Sequence, residues 1–379
     1  MILFLQTRQI MVYCYLFNPT IRFMEHFFMK KKLTVLCILI AAVLVVSACT
    51  GMVSTTLTAN WHTRDIEYDP AFYEELTYDV AYNGDEATTT VYDMKDFKGT
   101  YVMKISAGES YLTEDGKTVN NLYKMETDLS LSGTFAQKGG KDVFAFSDLS
   151  VVSIVYFHRI GEGYNLQPVH SETKYLVYAP GQGSLNAVDV RIAKYDVVID
   201  YNDNCSAAKY SKKDRSGELD VSIPDEWKNN VRIEKANDVE NQSFSKLQNS
   251  YSFFDNAQLY FASRGMAFAQ NSSFTVNTIV PNANKTAKLQ FSCSSVSSRK
   301  YAFTMDGKEV NEDISSAEVS MGLSEGNSSG SSVKLYLATK AEGLSNTYRN
   351  LPLQIEEPYS FGLGKMVYSL KNVSTVRPA

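Results

Sequence analysis

Hydrophobic and polar residues alternate along much of the chain beyond residue 75. In the first such stretch, Leu76, Tyr78, Val80 and Tyr82 are separated by polar or small residues. This alternation is typical of a strand with one buried face. The same pattern predicts strands at Val91, Tyr101–Ile105, Tyr123–Leu131, Val143–Phe146, Val151–Phe157, Tyr175–Tyr178, Val188–Ile192 and Tyr195–Tyr201.

Short glycine-containing turns separate the predicted strands. Glu114-Asp115-Gly116 and Asp306-Gly307-Lys308 are two of them, and glycine readily adopts the positive φ that such hairpin turns need. Later strands are predicted at Phe274–Val276, Leu289–Phe291, Tyr301–Met305, Val333–Ala338, Leu351–Ile355 and Gly364–Leu370. Consecutive strands joined in this way predict an antiparallel meander.

The period changes after Pro224. Phe244, Leu247, Tyr251 and Phe254 follow one another at steps of three, four and three, which predicts a helix that reaches Arg264 and covers one face of the sheet. The predicted fold class is therefore mainly β, with a long antiparallel meander forming a curved sheet or half-open barrel and one helix packed on the sheet.

An export signal precedes this domain. Residues 29–32 are Met-Lys-Lys-Lys, and they run directly into the apolar stretch Leu33–Val46, an arrangement typical of a signal peptide. A helix that crosses a bilayer needs about 20 apolar residues, so a permanent span is the weaker interpretation. The predicted signal peptide covers residues 29–48.

The signal ends in Val46-Ser47-Ala48-Cys49-Thr50-Gly51, which resembles the lipobox of bacterial lipoproteins. The resemblance implies that Cys49 receives diacylglycerol before cleavage and that the acyl chains, palmitate among them, anchor the protein to a membrane. The alternative is an ordinary cysteine that follows an ordinary cleavage site behind Ala48.

These features predict an organisation for the whole chain. Residues 1–28 precede a complete signal peptide, which favours Met29 as the start of translation, the alternative being a long leader or an extra membrane segment. Residues 49–60 are a short polar tether. Residues 61–379 are expected to form a single large β-rich extracytoplasmic domain, with a soft division near residues 200–225.

Charge excludes one class of function. The chain has 37 basic and 42 acidic residues; residues 1–48 hold five of the basic and one of the acidic ones, so the remainder has 32 against 41 and a formal net charge of −9. Such an acidic domain has no electrostatic footprint for nucleic acid. Cys205 and Cys293 also remain, and either a disulfide between them or two buried thiols fits the sequence.

The last third of the chain carries a further resemblance. Segments 255–264, 333–337, 349–355 and 364–370 resemble a family of uncharacterised bacterial envelope proteins. In that family a long meander curls into a half-open barrel around a helix, a shape similar to that of the lipoprotein carriers LolA and LolB, whose concave apolar face holds acyl chains. The resemblance implies a hydrophobic ligand and no catalytic residues.

Motifs for metals, cofactors and catalysis are not found. His62, His158 and His170 have no zinc-ligand spacing, and Asp200–Asn204 begins like a calcium loop but has Cys205 where that loop needs glycine. No nucleophile elbow or phosphate-binding loop is present in the sequence. We therefore expect no metal and no cofactor, and enzymatic activity has no support.

Aromatic side chains are the candidate ligand contacts. On a concave sheet face they would line an apolar cleft, whereas the alternative is that they fill the core between sheet and helix. The predicted function is non-enzymatic binding of a hydrophobic or cell-envelope ligand; the alternatives are an interaction module of a surface assembly, with a protein partner, and a hydrolase of envelope polymers. The candidate residues are Tyr156, Phe157, Phe254, Tyr260, Phe261 and Phe268.

Overall fold

The structure is a computed structural model. It describes residues 71–84, 92–137, 143–159, 166–180, 190–219, 223, 230–248, 252–281, 284–324, 332–339, 348, 350–359 and 364–378. The predicted signal peptide, Cys49 and the tether lie outside the described residues. Everything described belongs to one compact unit, Ser54–Ala379.

Strands dominate the described part of the chain. They are β1 (Tyr73–Asn83), β2 (Tyr92–Leu112), β3 (Thr118–Gln137), β4 (Val143–Phe157), β5 (Pro168–Pro180), β6 (Val190–Tyr201), β7 (Ala207–Asp214), β8 (Val231–Glu234), β9 (Val239–Ser245), β10 (Ser273–Val280), β11 (Lys285–Met305), β12 (Lys308–Leu323), β13 (Val333–Ala338), β14 (Pro352–Pro358) and β15 (Lys365–Ser374). Among the described residues, one short α-helix, α1 (Leu259–Ser263), follows a 3-10 turn at Asn256–Gln258, and another 3-10 turn spans Ser216–Glu218.

All the strands form one sheet. Its order is β10, β11, β12, β13, β14, β15, β1, β2, β3, β4, β5, β6, β7, β9, with β8 alongside β6. Strand β11 also pairs in parallel with β15, through Thr304 and Met305, so that β11 to β15 close into a ring. The first and last strands of the chain, β1 and β15, are antiparallel neighbours.

The two ends of the strand order approach each other. Asn277 of β10 pairs with Phe253, in the segment that follows β9, and its side chain donates to the carbonyl of Leu247 at 3.0 Å. The hydroxyl of Tyr210, on β7, donates to the carbonyl of Pro281 at 2.7 Å. These bonds curl the sheet around a concave face on which the main core lies.

The predicted fold class is confirmed. The structure is mainly β, with a long antiparallel meander and one helix, and the turns at residues 114–116 and 306–308 join β2 to β3 and β11 to β12. The strands are longer than the pattern predicted, because β4, β6 and β11 each span two predicted stretches. The alternation missed β7, β8, β9 and β12.

The predicted extent of the helix is wrong. Phe244 lies in β9, which pairs with β7, and the backbone of Phe254 bonds to Asn277 of β10, so tertiary pairing and not a helix fixes these two residues. Tyr251 lies outside the described residues. Helical structure begins only where Asp255 caps the 3-10 turn: its side chain accepts from the Ala257 amide, and the Gln258 side chain accepts from the Asp255 amide.

No helix among the described residues is long and apolar enough to cross a bilayer.

Candidate functional site

A plug formed by residues 255–264, which contain the 3-10 turn and α1, fills one end of the concave face. The carboxylate of Asp255 accepts hydrogen bonds from the hydroxyls of Ser171 on β5, at 2.5 Å, and Tyr201 on β6, at 2.6 Å. The side-chain amide of Gln258 donates to the carbonyl of Leu166 at 2.7 Å. The start of the plug is therefore bound to strands that are distant in sequence.

A buried ion pair holds the other end of the plug. The guanidinium of Arg264 contacts the carboxylate of Glu74 on β1 through two nitrogens, and both side chains are 0% exposed. The side chain of Asn350 donates to the carbonyl of Arg264 at 2.8 Å. A charge pair without solvent needs such close geometry to offset its desolvation.

A cleft of about 930 Å³ lies on the concave face beside the plug. The strand registers place the side chains of Tyr101, Leu129, Val151, Tyr175 and Tyr195 in one continuous row across β2 to β6. All five line the cleft, and the rings of Tyr175 and Tyr195 stack at 4.6 Å. Ligand sites are typically concave and mostly apolar.

A narrow polar band runs beside this row. Thr127, Ser153 and Thr173 are neighbours across β3 to β5, all three are buried, and the hydroxyl of Thr173 donates to that of Ser153 at 3.0 Å. They offer hydroxyls within an otherwise apolar wall. The described charged side chains of the lining are Asp255, Lys285 and Glu357.

Glu357 differs from the other carboxylate of the lining. The carboxylate of Asp255 accepts three hydrogen bonds, from the hydroxyls of Ser171 and Tyr201 and from the Ala257 amide. The carboxylate of Glu357 accepts one from the hydroxyl of Tyr368, at 2.6 Å. Burial raises the pKa of the Glu357 carboxyl, and the hydrogen bond from Tyr368 opposes that shift.

Comparison with known proteins finds a similar solved structure but no similar family or curated protein. No family model matches it, and no curated protein does. Its structure is similar to the crystal structure of a β-barrel-like protein of a domain of unknown function, DUF1849, from Brucella abortus, with a TM-score of 0.42 and 8% sequence identity over 80% of this chain and 98% of that one. A likeness at that level carries no argument about a ligand.

The aromatic residues predicted to contact a ligand separate into three groups. Tyr260 lines the cleft. Phe157, Phe254 and Phe261 are fully buried in the core, where the rings of Phe157 and Phe261 lie 5.6 Å apart. These three side chains belong to the core between sheet and plug, which is the alternative interpretation of the sequence.

The remaining two also lie away from the described cleft lining. Phe268 packs edge-on against Phe274 of β10 at 5.2 Å. Tyr156 lies on the opposite face of β4 from Val151, since neighbouring residues of a strand point to opposite faces. Neither residue lines the described cleft, because alternation shows which residues share a face but not which face is concave.

Tyr156 belongs to a cluster on the outer face with Tyr111, His170 and Asp200. The ring of Tyr111 stacks on His170 at 4.4 Å, and Nδ1 of His170 lies 2.7 Å from Oδ1 of Asp200. Burial, and then the Asp200 carboxylate, raise the pKa of the Tyr111 hydroxyl. This cluster joins β2, β5 and β6 through their outward side chains.

The cysteines form no disulfide with each other. Cys205 and Cys293 are both free and buried, in two different core clusters, which is the second of the two arrangements that the sequence allows. Burial raises the pKa of the Cys205 thiol to about 12. The described residues contain no group of three or more His, Cys, Asp or Glu side chains that could hold a metal ion.

Sequence reasoning missed the residues that distinguish the cleft. Glu357 follows Leu353 and Ile355 at the alternate positions of β14, so the alternation itself marked a carboxylate on the core-facing side. Tyr101 and Tyr368 were assigned to strands but not to a site. Their proximity depends on the pairing of β1 with both β2 and β15, which no local pattern specifies.

Proposed function

We propose that this protein is a lipid-anchored, extracytoplasmic binding protein whose cleft holds a ligand with a hydrophobic chain, and that it is not an enzyme. The observation that carries the proposal is the cleft of about 930 Å³ with a row of apolar and aromatic side chains along its wall. Removal of apolar surface from water is worth about 25 cal/mol per Å², so a chain that fills this cleft binds without a large polar contribution.

The lining also argues against hydrolysis. Among the described lining residues there is no histidine or cysteine, and the carboxylates are Asp255 and Glu357. Since Asp255 caps the plug and accepts from two buried hydroxyls, it is a structural group. That leaves one carboxylate, where polymer hydrolysis by paired acids needs two.

Binding is tested by crosslinking in living bacteria that express the full chain and take up a photoactivatable alkynyl fatty acid. Irradiation is expected to attach lipid to the peptides of β3 to β5 that carry Leu129, Val151 and Tyr175. Val151→Trp, which fills the cleft wall, should remove most of this labelling. Val152→Trp, at the next position of β4 and on its other face, is the matched control and should retain it.

Labelling that is confined to outward-facing residues, or that is equal in the two tryptophan variants, would contradict the proposal. Labelled peptides are identified by mass spectrometry, which separates crosslinks in β3 to β5 from metabolic acylation of Cys49.

The anchor at Cys49 rests on the resemblance of residues 46–51 to a lipobox and is tested separately. The intact mass of the protein from bacterial membranes is expected to correspond to a chain that starts at Cys49 and carries acyl groups. Cys49→Ser should remain unprocessed, whereas Cys205→Ser should be acylated as in the unmodified protein. A soluble product without acyl mass would show that the anchor is wrong.

A further inference from the structure

Glu357 occupies a position that its strand otherwise gives to apolar residues. Leu353 and Ile355, at the alternate positions before it on β14, are buried, and residues two apart lie on the same face of a strand. On the other face, Glu356 is neutralised by Lys365, whose ammonium lies 2.7 Å from its carboxylate. Of these two adjacent carboxylates, Glu356 has a positive charge beside it, whereas Glu357 lies on the face with the apolar residues.

Tyrosines surround Glu357 in the cleft. The hydroxyl of Tyr368 donates to it, and the ring of Tyr101 lies 5.5 Å from the ring of Tyr368 and 6.4 Å from that of Tyr260. Burial, and then the Glu357 carboxylate, raise the pKa of the Tyr260 hydroxyl. All four line the cleft. We call them the tyrosine–glutamate cluster.

No cation of the described residues neutralises this carboxylate. The ion pairs between described side chains include Lys365 with Glu356 and Lys334 with Glu318, and none includes Glu357. Lys285, the basic residue of the described cleft lining, is not among the groups that shift the pKa of Glu357. Glu357 is half-buried, and a carboxylate that is partly removed from water is costly unless a positive charge lies beside it. Tyrosine rings also attract cations, since their faces carry negative electrostatic potential.

From this arrangement we infer that the hydrophobic ligand carries a cationic amine head, which sits against Glu357 within the tyrosine–glutamate cluster. The inference rests on the proposed function and makes it more specific: the chain lies along Leu129, Val151 and Tyr175, and the head lies at Glu357. A head with a carboxylate would meet a like charge there, whereas an amine supplies the missing counter-charge.

The test compares three photoactivatable alkyl probes of the same chain length that end in a trimethylammonium, a hydroxyl or a carboxylate group. They are applied to the purified full chain in a neutral maltoside detergent, and crosslinking to β3 to β5 is measured against probe concentration. The trimethylammonium probe is expected to reach half-maximal labelling at a concentration about tenfold lower than the hydroxyl probe does. The carboxylate probe should be the weakest.

Two isosteric variants locate the preference. Glu357→Gln keeps an acceptor for Tyr368 and should abolish the preference for trimethylammonium while the hydroxyl probe labels as before. Glu356→Gln removes the adjacent carboxylate on the other face and should leave the preference unchanged. The comparison of heads on the unmodified chain needs no variant, so the inference stays testable even if a variant fails to fold.

The outcomes separate the inference from the proposal beneath it. If all three probes label the cleft equally, or if the carboxylate probe is preferred, the cationic head is wrong and hydrophobic binding stands. If the preference survives in Glu357→Gln, the head does not sit at Glu357 and the inference fails as stated. If no probe labels the cleft, both are wrong.

Stability provides a readout that a structural role for Glu357 would not share. A carboxyl group whose pKa is raised on folding lowers stability once the pH exceeds its unfolded value. Glu357→Gln is therefore expected to raise the melting temperature of the unliganded protein at neutral pH, with the difference vanishing in acid. If Glu357 binds the cationic head, Glu357→Gln gains stability and loses the head-group preference. A loss of stability at neutral pH would overturn the assignment of Glu357 as a binding residue.

Discussion

Replacing Arg264 by Met, with Glu74 left in place, is expected to lower the free energy of unfolding by about 3–5 kcal/mol. Both side chains are 0% exposed, so the variant leaves a carboxylate in the core with its main counter-charge removed. The expected loss is a large part of the stability of a typical domain, which is about 5–15 kcal/mol. Urea denaturation of the purified full chain, followed by far-ultraviolet circular dichroism, measures it.

Two further variants show whether the effect comes from the unpaired charge. The double change Glu74→Leu and Arg264→Met should recover most of the loss, because apolar residues of similar volume often replace a buried ion pair at little cost. Arg191→Met is the surface control: its partner is Glu234, and the two side chains are 37% and 46% exposed, so we expect about 0–1 kcal/mol. A double variant as unstable as Arg264→Met alone would contradict this account.

Truncating Phe157 to Ala should lower the free energy of unfolding by about 3–5 kcal/mol. Its ring is 0% exposed and lies 5.6 Å from those of both Tyr123 and Phe261, so the truncation opens a cavity between sheet and plug. Tyr156→Ala is the matched control. It removes a larger side chain from the next position, but from the outer face, and should cost about 1 kcal/mol.

The same urea titration compares the two variants. Equal losses would mean that the outer-face cluster of Tyr111, Tyr156, His170 and Asp200 stabilises the sheet as much as the core does, and would overturn the division between the faces of β4. The expected difference instead assigns Phe157 to the core and not to ligand contact.

The hydrophobic spacing in the sequence predicts a helix near residues 255–264, but not where that helix begins. Asp255 and Gln258 form a capping box that is visible in the sequence, and it marks the point where helical structure begins. Phe244 is held in β9 by the pairing of that strand with β7, and Phe253 and Phe254 bond to Asn277 of β10, so the partners of these residues come from other parts of the chain. The spacing of Phe244, Leu247 and Phe254 resembles that of a helical face, although these residues contact different strands.

The candidate site shows the same division. Val151 and Tyr175 lie in short, largely apolar runs that predict strands, and such a run is a local property of the sequence. Whether they line a cleft or fill a core depends on where the plug ends, which is decided by Arg264 meeting Glu74 across 190 positions of sequence. Local patterns contain no information on that contact.

By itself the sequence determined the mainly β fold class, the meander and the principal hairpin turns, because alternation and turn chemistry act between residues close in the chain. Only the tertiary structure decided that Phe157, Phe254 and Phe261 are core while Tyr101, Tyr260, Tyr368 and Glu357 meet in a cleft. The reason is physical: strand pairing brings together side chains from β2, β14, β15 and the plug, and the burial that raises the pKa of Glu357 arises only once these elements have assembled.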